Sequence, residues 1–334
     1  MLQKVTMADT DLDSLYGQTL QQIKKQKGDL ARLGMEVLMW VSHAKRPLSI
    51  DELCHALAVG PAATDLDPKN IRSRDTVLGS CLGLVMAEKK TLKVRLIHDT
   101  LQQYLSRPGI LSGAHKVLGE TCLAYLSSGR VKKLHANKVG DLGNMPFLEY
   151  SSRYWGAHAK IELSDRALTL AVKLLNQFEN HILFALFLQK TLSDHYSLVS
   201  SPPCTGLHYA SYMGIDAVVA ALIKLKSCDI NREGPMGYTP LMWAVVRRNH
   251  GTVRLLLTCD GVDPDKPFIE DRTPLWWASS YADEEMVRIL VQGGADPTKP
   301  SHEGETPLAV ASRNKDLRKV ALLRPRPITI SDLD

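Results

Sequence analysis

Apolar and polar positions follow three regimes along this chain, and each predicts a different kind of element. In the first, Leu15, Leu20 and Ile23 mark a short helix. Leu30, Leu33, Val37, Leu38 and Val41 then give the three- and four-residue steps of a buried helical stripe over residues 30–43. Pro47 ends the link that follows. Ser49, with Glu52 three positions on, is the signature of a capped helix over 50–58. A loop containing Pro and Asp spans 60–70. Residues 71–81 read as a helix, and 84–87 and 92–97 as two strands joined by the polar turn Glu88-Lys89-Lys90. Helices followed by a small hairpin predict a winged-helix domain over 12–106, whose last part, 98–105, opens a further helix.

From 107 to 200 helical spacing continues with little punctuation, which predicts a helical linker domain. Residues 113–126, 145–159 and 164–177 are its clearest helices, with breaks at Gly129 and around Gly140 and Gly143. Phe147, Tyr150, Tyr154, Trp155 and His158 recur at helical steps, most simply as a packed face. The apolar run 181–188 is expected to be buried.

The third regime, 201–324, is periodic. Four blocks align: Thr205-Gly206-Leu207-His208, Thr239-Pro240-Leu241-Met242, Thr273-Pro274-Leu275-Trp276 and Thr306-Pro307-Leu308-Ala309. Their threonines are 34, 34 and 33 residues apart, and each block has an alanine at its sixth position: Ala210, Ala244, Ala278 and Ala311. Proline suits a first helical turn, where its missing N–H is not needed, and a threonine hydroxyl can cap that turn. Alanine lets paired helices approach closely. Val218, Val219 and Leu222, then Val253 and Leu255–Leu257, then Met286, Val287, Ile289 and Leu290 supply second helices. Units of this size cannot bury their apolar sides alone, so the period predicts a stacked solenoid of about four repeats. Residues 325–334 read as a flexible tail. The fold class expected is therefore mainly α, with a winged-helix and helical region followed by an ankyrin-type repeat solenoid.

Composition narrows the function. Apolar residues are 44% and charged residues 23%, enough apolar surface to exclude disorder throughout. No apolar run is long enough for a membrane span, and the polar start with Asp9, Asp11 and Asp13 lacks the core of a signal peptide. Six dispersed cysteines without a CxxC pair read as reduced thiols, so a cytoplasmic location is expected, with the nucleus also open to it. Residues 201–334 hold 16 Lys/Arg against 17 Asp/Glu, a net of −1, while the preceding 200 hold 25 against 19, a net of +6. That mild excess has no dense basic run and does not favour nucleic-acid binding. No HExxH or GxSxG pattern occurs, so neither a metal site nor a catalytic residue is expected.

The four blocks resemble the ankyrin family over roughly 201–324. Departures are Gly206 in place of proline, and Met242, Trp276 and Ala309 in place of the family's histidine, which only His208 keeps. Gly214 keeps the glycine between paired helices, which Arg248, Ala282 and Lys315 replace. Upstream, Leu38-Met39-Trp40-Val41-Ser42-His43-Ala44-Lys45-Arg46-Pro47-Leu48 leads into Ile50-Asp51-Glu52-Leu53. Val94-Arg95-Leu96-Ile97-His98-Asp99 then precedes Gln103-Tyr104-Leu105, and Pro146-Phe147-Leu148-Glu149-Tyr150 precedes Tyr154-Trp155 and His158. These motifs are similar to the regions following the nucleotide-binding domain in fungal NACHT–ankyrin proteins, STAND-type relatives of the NOD-like receptors of innate immunity.

The resemblance implies the sensor or regulatory part of such a receptor. The chain has no GxxxxGK[ST] loop, so the nucleotide-binding domain of the family is not within it and no ATP hydrolysis or cofactor is expected. Residues 12–26 correspond to the last helices before the winged helix. The family's winged helix approaches the β-phosphate of ADP at a position matching His98, which implies a nucleotide-state contact there. The bland alternative is a histidine ending a strand.

The leading expectation is a non-enzymatic module that binds a protein partner through the ankyrin groove. Its hairpin tips present Met236, Tyr238, Ile269, Glu270, Arg272, Glu303 and Glu305. Its first helices present Tyr212, Met213, Val246, Arg247, Ser280, Tyr281, Arg313 and Asn314. Tyr209, Trp243 and Trp277 recur at 34 residues, either as a framework row or as an aromatic ligand ladder, the framework being favoured. One alternative is the carboxy-terminal half of an ATP-driven STAND switch, its nucleotide domain supplied in cis upstream or in trans. Another is a winged-helix nucleic-acid binder.

Overall fold

A computed structural model describes residues 7–59, 66–134, 145–178, 181–183, 186–187, 204–225 and 228–324. The expected break around Gly140 and Gly143 and the expected tail 325–334 lie outside these residues. Two compact units divide the chain, one running to Leu170 and including His181–Leu186, the other comprising Ala171–Asn180 and the chain from Phe187 on.

In the first unit, α1 spans Met7–Lys24 and α2 spans Leu30–His43. Tyr16, Leu20 and Ile23 form the buried side of α1, while Leu15, expected on that side, is exposed. Leu33, Val37, Leu38 and Trp40 are the buried stripe of α2. Gly34 sits where α2 approaches closely, since a Cβ there would lie 2.5 Å from the Ser80 carbonyl oxygen and 2.7 Å from Ile23. The capping box forms: α3 (Ile50–Leu57) opens with the Ser49 hydroxyl accepting from the Glu52 N–H while the Glu52 carboxylate accepts from the Ser49 N–H. Arg46 clamps that carboxylate with two guanidinium bonds of 2.6 and 2.9 Å.

The helix expected over 71–81 is shorter, α4 (Arg74–Gly79), because Ser73 is extended and caps it through the Thr76 N–H. Strands β1 (Val85–Ala87) and β2 (Val94–Leu96) pair antiparallel, with Met86 opposite Arg95. An isolated bridge between Ser49 and Lys93 adds a third edge to this wing. Helix α5 (Asp99–Leu105) follows directly.

Helices α6 (Ala114–Leu126), α7 (Gly129–Lys132) and α8 (Leu148–Ala159) continue the same unit. Gly129, expected as a break, opens the short α7 instead, with Ser128 as its cap. The expected aromatic stripe packs against α2: Trp40 meets Phe147 at 5.3 Å and Tyr150 at 5.8 Å, both edge-on. The 106/107 boundary therefore falls inside one compact body. His158 is fully buried and bonds His115 at 2.9 Å and the Tyr150 hydroxyl at 2.9 Å, and that hydroxyl accepts the Lys45 N–H. Burial, then the charges of His115, Lys45 and His43, push His158 down to about 3.

The second unit is a stack of helix pairs. The inner helices are Gly206–Met213, Pro240–Val246, Pro274–Tyr281 and Pro307–Arg313. The outer helices are Asp216–Ile223, His250–Leu257, Glu284–Gln292 and Leu317–Leu323. Leu207, Leu241 and Leu275, with Ala210, Ala244, Ala278 and Ala311, are buried between layers, together with Val218, Val253, Val287 and Val320 from the outer helices. The chain is mainly α, a winged helix followed by a repeat solenoid.

Candidate protein-binding surface

Each inner helix starts at its threonine. Thr205, Thr239, Thr273 and Thr306 have extended backbones, and their hydroxyls accept from the N–H groups of His208, Met242, Trp276 and Ala309. In the first repeat this becomes a full capping box, since His208 Nδ1 accepts the Thr205 N–H at 3.0 Å. Its Nε2 lies 2.9 Å from the Arg232 carbonyl, and because a carbonyl only accepts, the ring proton is on Nε2. His208 thus fastens the helix to the hairpin that follows. Burial pushes it down to about 4, keeping it neutral. Methionine, tryptophan and alanine at this position cannot make both bonds. The buried indole nitrogens of Trp243 and Trp276 have no acceptor among the described residues, and Arg272 stacks over Trp276 at 4.4 Å.

Gly206 replaces proline for a local reason. A Cβ there would lie 2.1 Å from the Leu175 carbonyl oxygen, at the end of α9 (Asp165–Leu175). The glycine expected between paired helices has its own reason in the first repeat. Gly214 has φ 66, and a Cβ would meet Asn249, whose amide donates back to the Ser211 and Tyr212 carbonyls at 2.8 and 2.9 Å. Arg248 and Lys315 occupy the same left-handed position with φ 54 and 57. Ala282 avoids it with an extended backbone.

Aromatic rings run through the stack. Tyr209 meets Phe178 at 5.0 Å and Phe187 at 5.2 Å, and Phe187 meets Tyr212 and Trp243. Tyr238 bridges Trp243 and Phe268, each at 5.2 Å, and Phe268 leads to Trp277 and Tyr281. Tyr209 and Trp243 are buried and Trp277 half-buried, which fits packing framework better than a ligand ladder. Tyr238 departs from its expected place on an exposed tip. It is 6% exposed because its ring fills the space between Trp243 and Phe268.

The other expected surface residues divide by exposure. Arg247, Ile269, Glu270, Tyr281, Glu303, Arg313 and Asn314 are exposed, whereas Tyr212, Met213, Met236, Val246, Arg272, Ser280 and Glu305 are half-buried. Two cations are neutralised internally, Arg272 by Glu270 at 2.5 Å and Arg313 by Glu305 at 2.6 Å. Arg247 instead lies over the Tyr212 ring at 4.6 Å. Arg248, which sequence reading did not single out as a contact, donates to the Tyr281 carbonyl at 2.5 Å and ties the second repeat to the third. The available signal in the sequence was an arginine where the family has glycine, a position that takes a left-handed backbone here.

In the first unit, His98 is exposed at the start of α5 and lies 3.4 Å from the Thr100 hydroxyl. It lines an open cleft of about 670 Å³ with Lys45, Arg46, Arg95 and Asp99. Among the described residues no group of three His, Cys, Asp or Glu could hold a metal ion, and no helix is long and apolar enough to cross a membrane.

A winged helix followed by ankyrin repeats is what comparison with known families also finds. Residues 19–113 match the winged helix domain of GPI inositol-deacylase. Residues 168–268 match a three-copy ankyrin repeat model, and 270–302 match a single ankyrin repeat. The ankyrin match thus begins well before the Thr205 block, where α9 stands. No curated protein matches the chain. Ankyrin arrays are protein-interaction scaffolds, so the second unit is a protein-interaction module.

Proposed function

We propose that the chain is a non-enzymatic protein binder whose partner lies along the inner-helix ends and hairpin tips of the ankyrin array. The observation that carries this is the exposure of Tyr281, at 53%, and Ile269, at 39%, together with Arg247, on a stack whose one other exposed large apolar side chain among the described residues is Leu317, at the start of the last outer helix. Exposed aromatic and arginine side chains on a rigid scaffold are the residues that dominate binding energy elsewhere. Affinity capture with the full chain, compared with a Tyr281→Ala/Arg247→Ala double variant and an outer-helix Arg254→Ala control, tests it. A partner retained by the wild type and the control but lost by the double variant supports the reading. A partner retained equally by all three defeats it.

In the finer reading, the chain is the sensor or regulatory part of a NACHT–ankyrin-type receptor acting in the cytoplasm. The order of a winged helix before an ankyrin array supports it, as do the free cysteines. The cleft lined by Lys45, Arg95 and His98 favours one further reading, in which a nucleotide-binding domain in cis or in trans docks against the winged helix of an ATP-driven switch. Sequencing the transcript upstream of Met1 separates the two. A continuous frame with a P-loop supports the switch, and a stop codon in that frame rules out the domain in cis.

A further inference from the structure

The same position in three successive repeats is held by Met213, Arg247 and Tyr281, 34 residues apart. Met213 is half-buried, and Arg247 and Tyr281 are exposed. This row is therefore apolar, cationic, apolar. Its cation is poised: the guanidinium rests on the Tyr212 ring at 4.6 Å, and no carboxylate of the described residues pairs with it. The neighbouring cations Arg272 and Arg313 are already neutralised by Glu270 and Glu305. A guanidinium held over an aromatic face still has N–H donors to offer and loses less side-chain freedom when it receives a carboxylate in two-point fashion.

We infer that the array takes an extended segment of a protein partner, with an acidic side chain at its centre and an apolar side chain on either side. This rests on the groove-binding reading above. The spacing follows from geometry. Packed helices stand about 8–10 Å apart, and an extended chain in the polyproline-II conformation advances about 3.1 Å per residue with about three residues per turn, so side chains three residues apart share one face and meet neighbouring repeats. The pattern is apolar-x-x-(Asp/Glu)-x-x-apolar. Because it is symmetric, it holds for either direction of the segment. The central acid pairs with Arg247, one apolar residue packs on Tyr281 and the ring of Trp277 beneath it, and the other packs on Met213.

Random peptides displayed on phage and selected on the full chain test this, with the selected sequences made synthetically and titrated by fluorescence anisotropy. Arg247→Glu and Tyr281→Ala change exposed side chains, and circular dichroism verifies that both variants fold. The expected selection is an acidic centre flanked by apolar residues at the stated spacing. Arg247→Glu should weaken these peptides more than about tenfold, and replacing their acid by lysine should recover binding to that variant. Tyr281→Ala should weaken binding while leaving the preference for an acid intact. Peptides that lose affinity on Tyr281→Ala but show no acidic preference would overturn the inference and leave groove binding standing. Peptides indifferent to both substitutions, or no selected peptides at all, would sink both.

Discussion

Restoring proline at position 206 looks like an improvement, since three of the four blocks read Thr-Pro-Leu and proline is preorganised for a first helical turn. The structure reverses that expectation. A Cβ on residue 206 would stand 2.1 Å from the Leu175 carbonyl oxygen and 2.7 Å from its carbonyl carbon and Cβ. Relief requires the backbone of α9 to retreat by roughly an ångström, and overpacking of this kind costs about 1–3 kcal/mol. Proline's gain through the unfolded chain is at most about 1 kcal/mol. Setting a mid-range cost of about 2 kcal/mol against a gain of about 0.7 kcal/mol leaves Gly206→Pro about 1 kcal/mol less stable, a fall in midpoint of roughly 2–4 °C for a unit of this size. Gly206→Ala should move the same way. Thermal unfolding followed by near-ultraviolet circular dichroism reads the change, and hydrogen exchange at the Gly206–Met213 amides localises it. An unchanged or raised midpoint for Gly206→Pro would refute the close approach of Leu175.

Acid should weaken both units. His158 and His208 are held near 3 and 4 when folded and titrate near 6.5 when unfolded, so the unfolded chain takes up protons first. Their neutral forms contribute full stability above about pH 6.5. Each loses roughly 2 kcal/mol by pH 5, and a urea midpoint that does not move between pH 7.5 and pH 5 contradicts this. Thr239→Ala removes a buried cap and should cost about 1 kcal/mol by urea titration, against almost nothing for Thr258→Ala on the exposed end of an outer helix. Lys315→Gly relieves a left-handed backbone in the last repeat and should raise stability by about 0.5–1 kcal/mol, and a drop in midpoint would argue against φ 57 there.

The repeat array was legible because its signals are local and recurrent. A threonine cap, a first-turn proline and an inner alanine act within one turn of helix, so they survive in sequence form at every repeat. The same holds for the Ser49–Glu52 capping box and for the wing. What precedes Thr205 was less legible, because α9 carries no Thr-Pro-Leu block. The membership of its end, from Ala171, in the second unit goes with Leu175 packing on Gly206 and with Phe178 and Phe187 reaching Tyr209, contacts between segments that no local pattern encodes. Tyr238 was misjudged for a related reason: a hairpin-tip residue is exposed by default unless neighbouring repeats supply rings on both sides, here Trp243 and Phe268. Of the candidate surface, residue positions could be read from the period. Which cations were already neutralised could not, since that is fixed by the reach of individual side chains.

The double bond made by His208 has a mechanical corollary. The first repeat has its hairpin riveted to its helix by a buried side chain, and Asn249 locks the second repeat onto the first. Farther along, Arg248 donates to the Tyr281 carbonyl, Asp265 accepts the Asp296 N–H and the buried Lys319 donates to the Ser279 carbonyl, so each repeat is pinned to the backbone of a neighbour. Pulled or warmed, the stack should resist shear along its length instead of sliding unit past unit. A partner lying across several repeats would act as a splint on a body already pinned at every step.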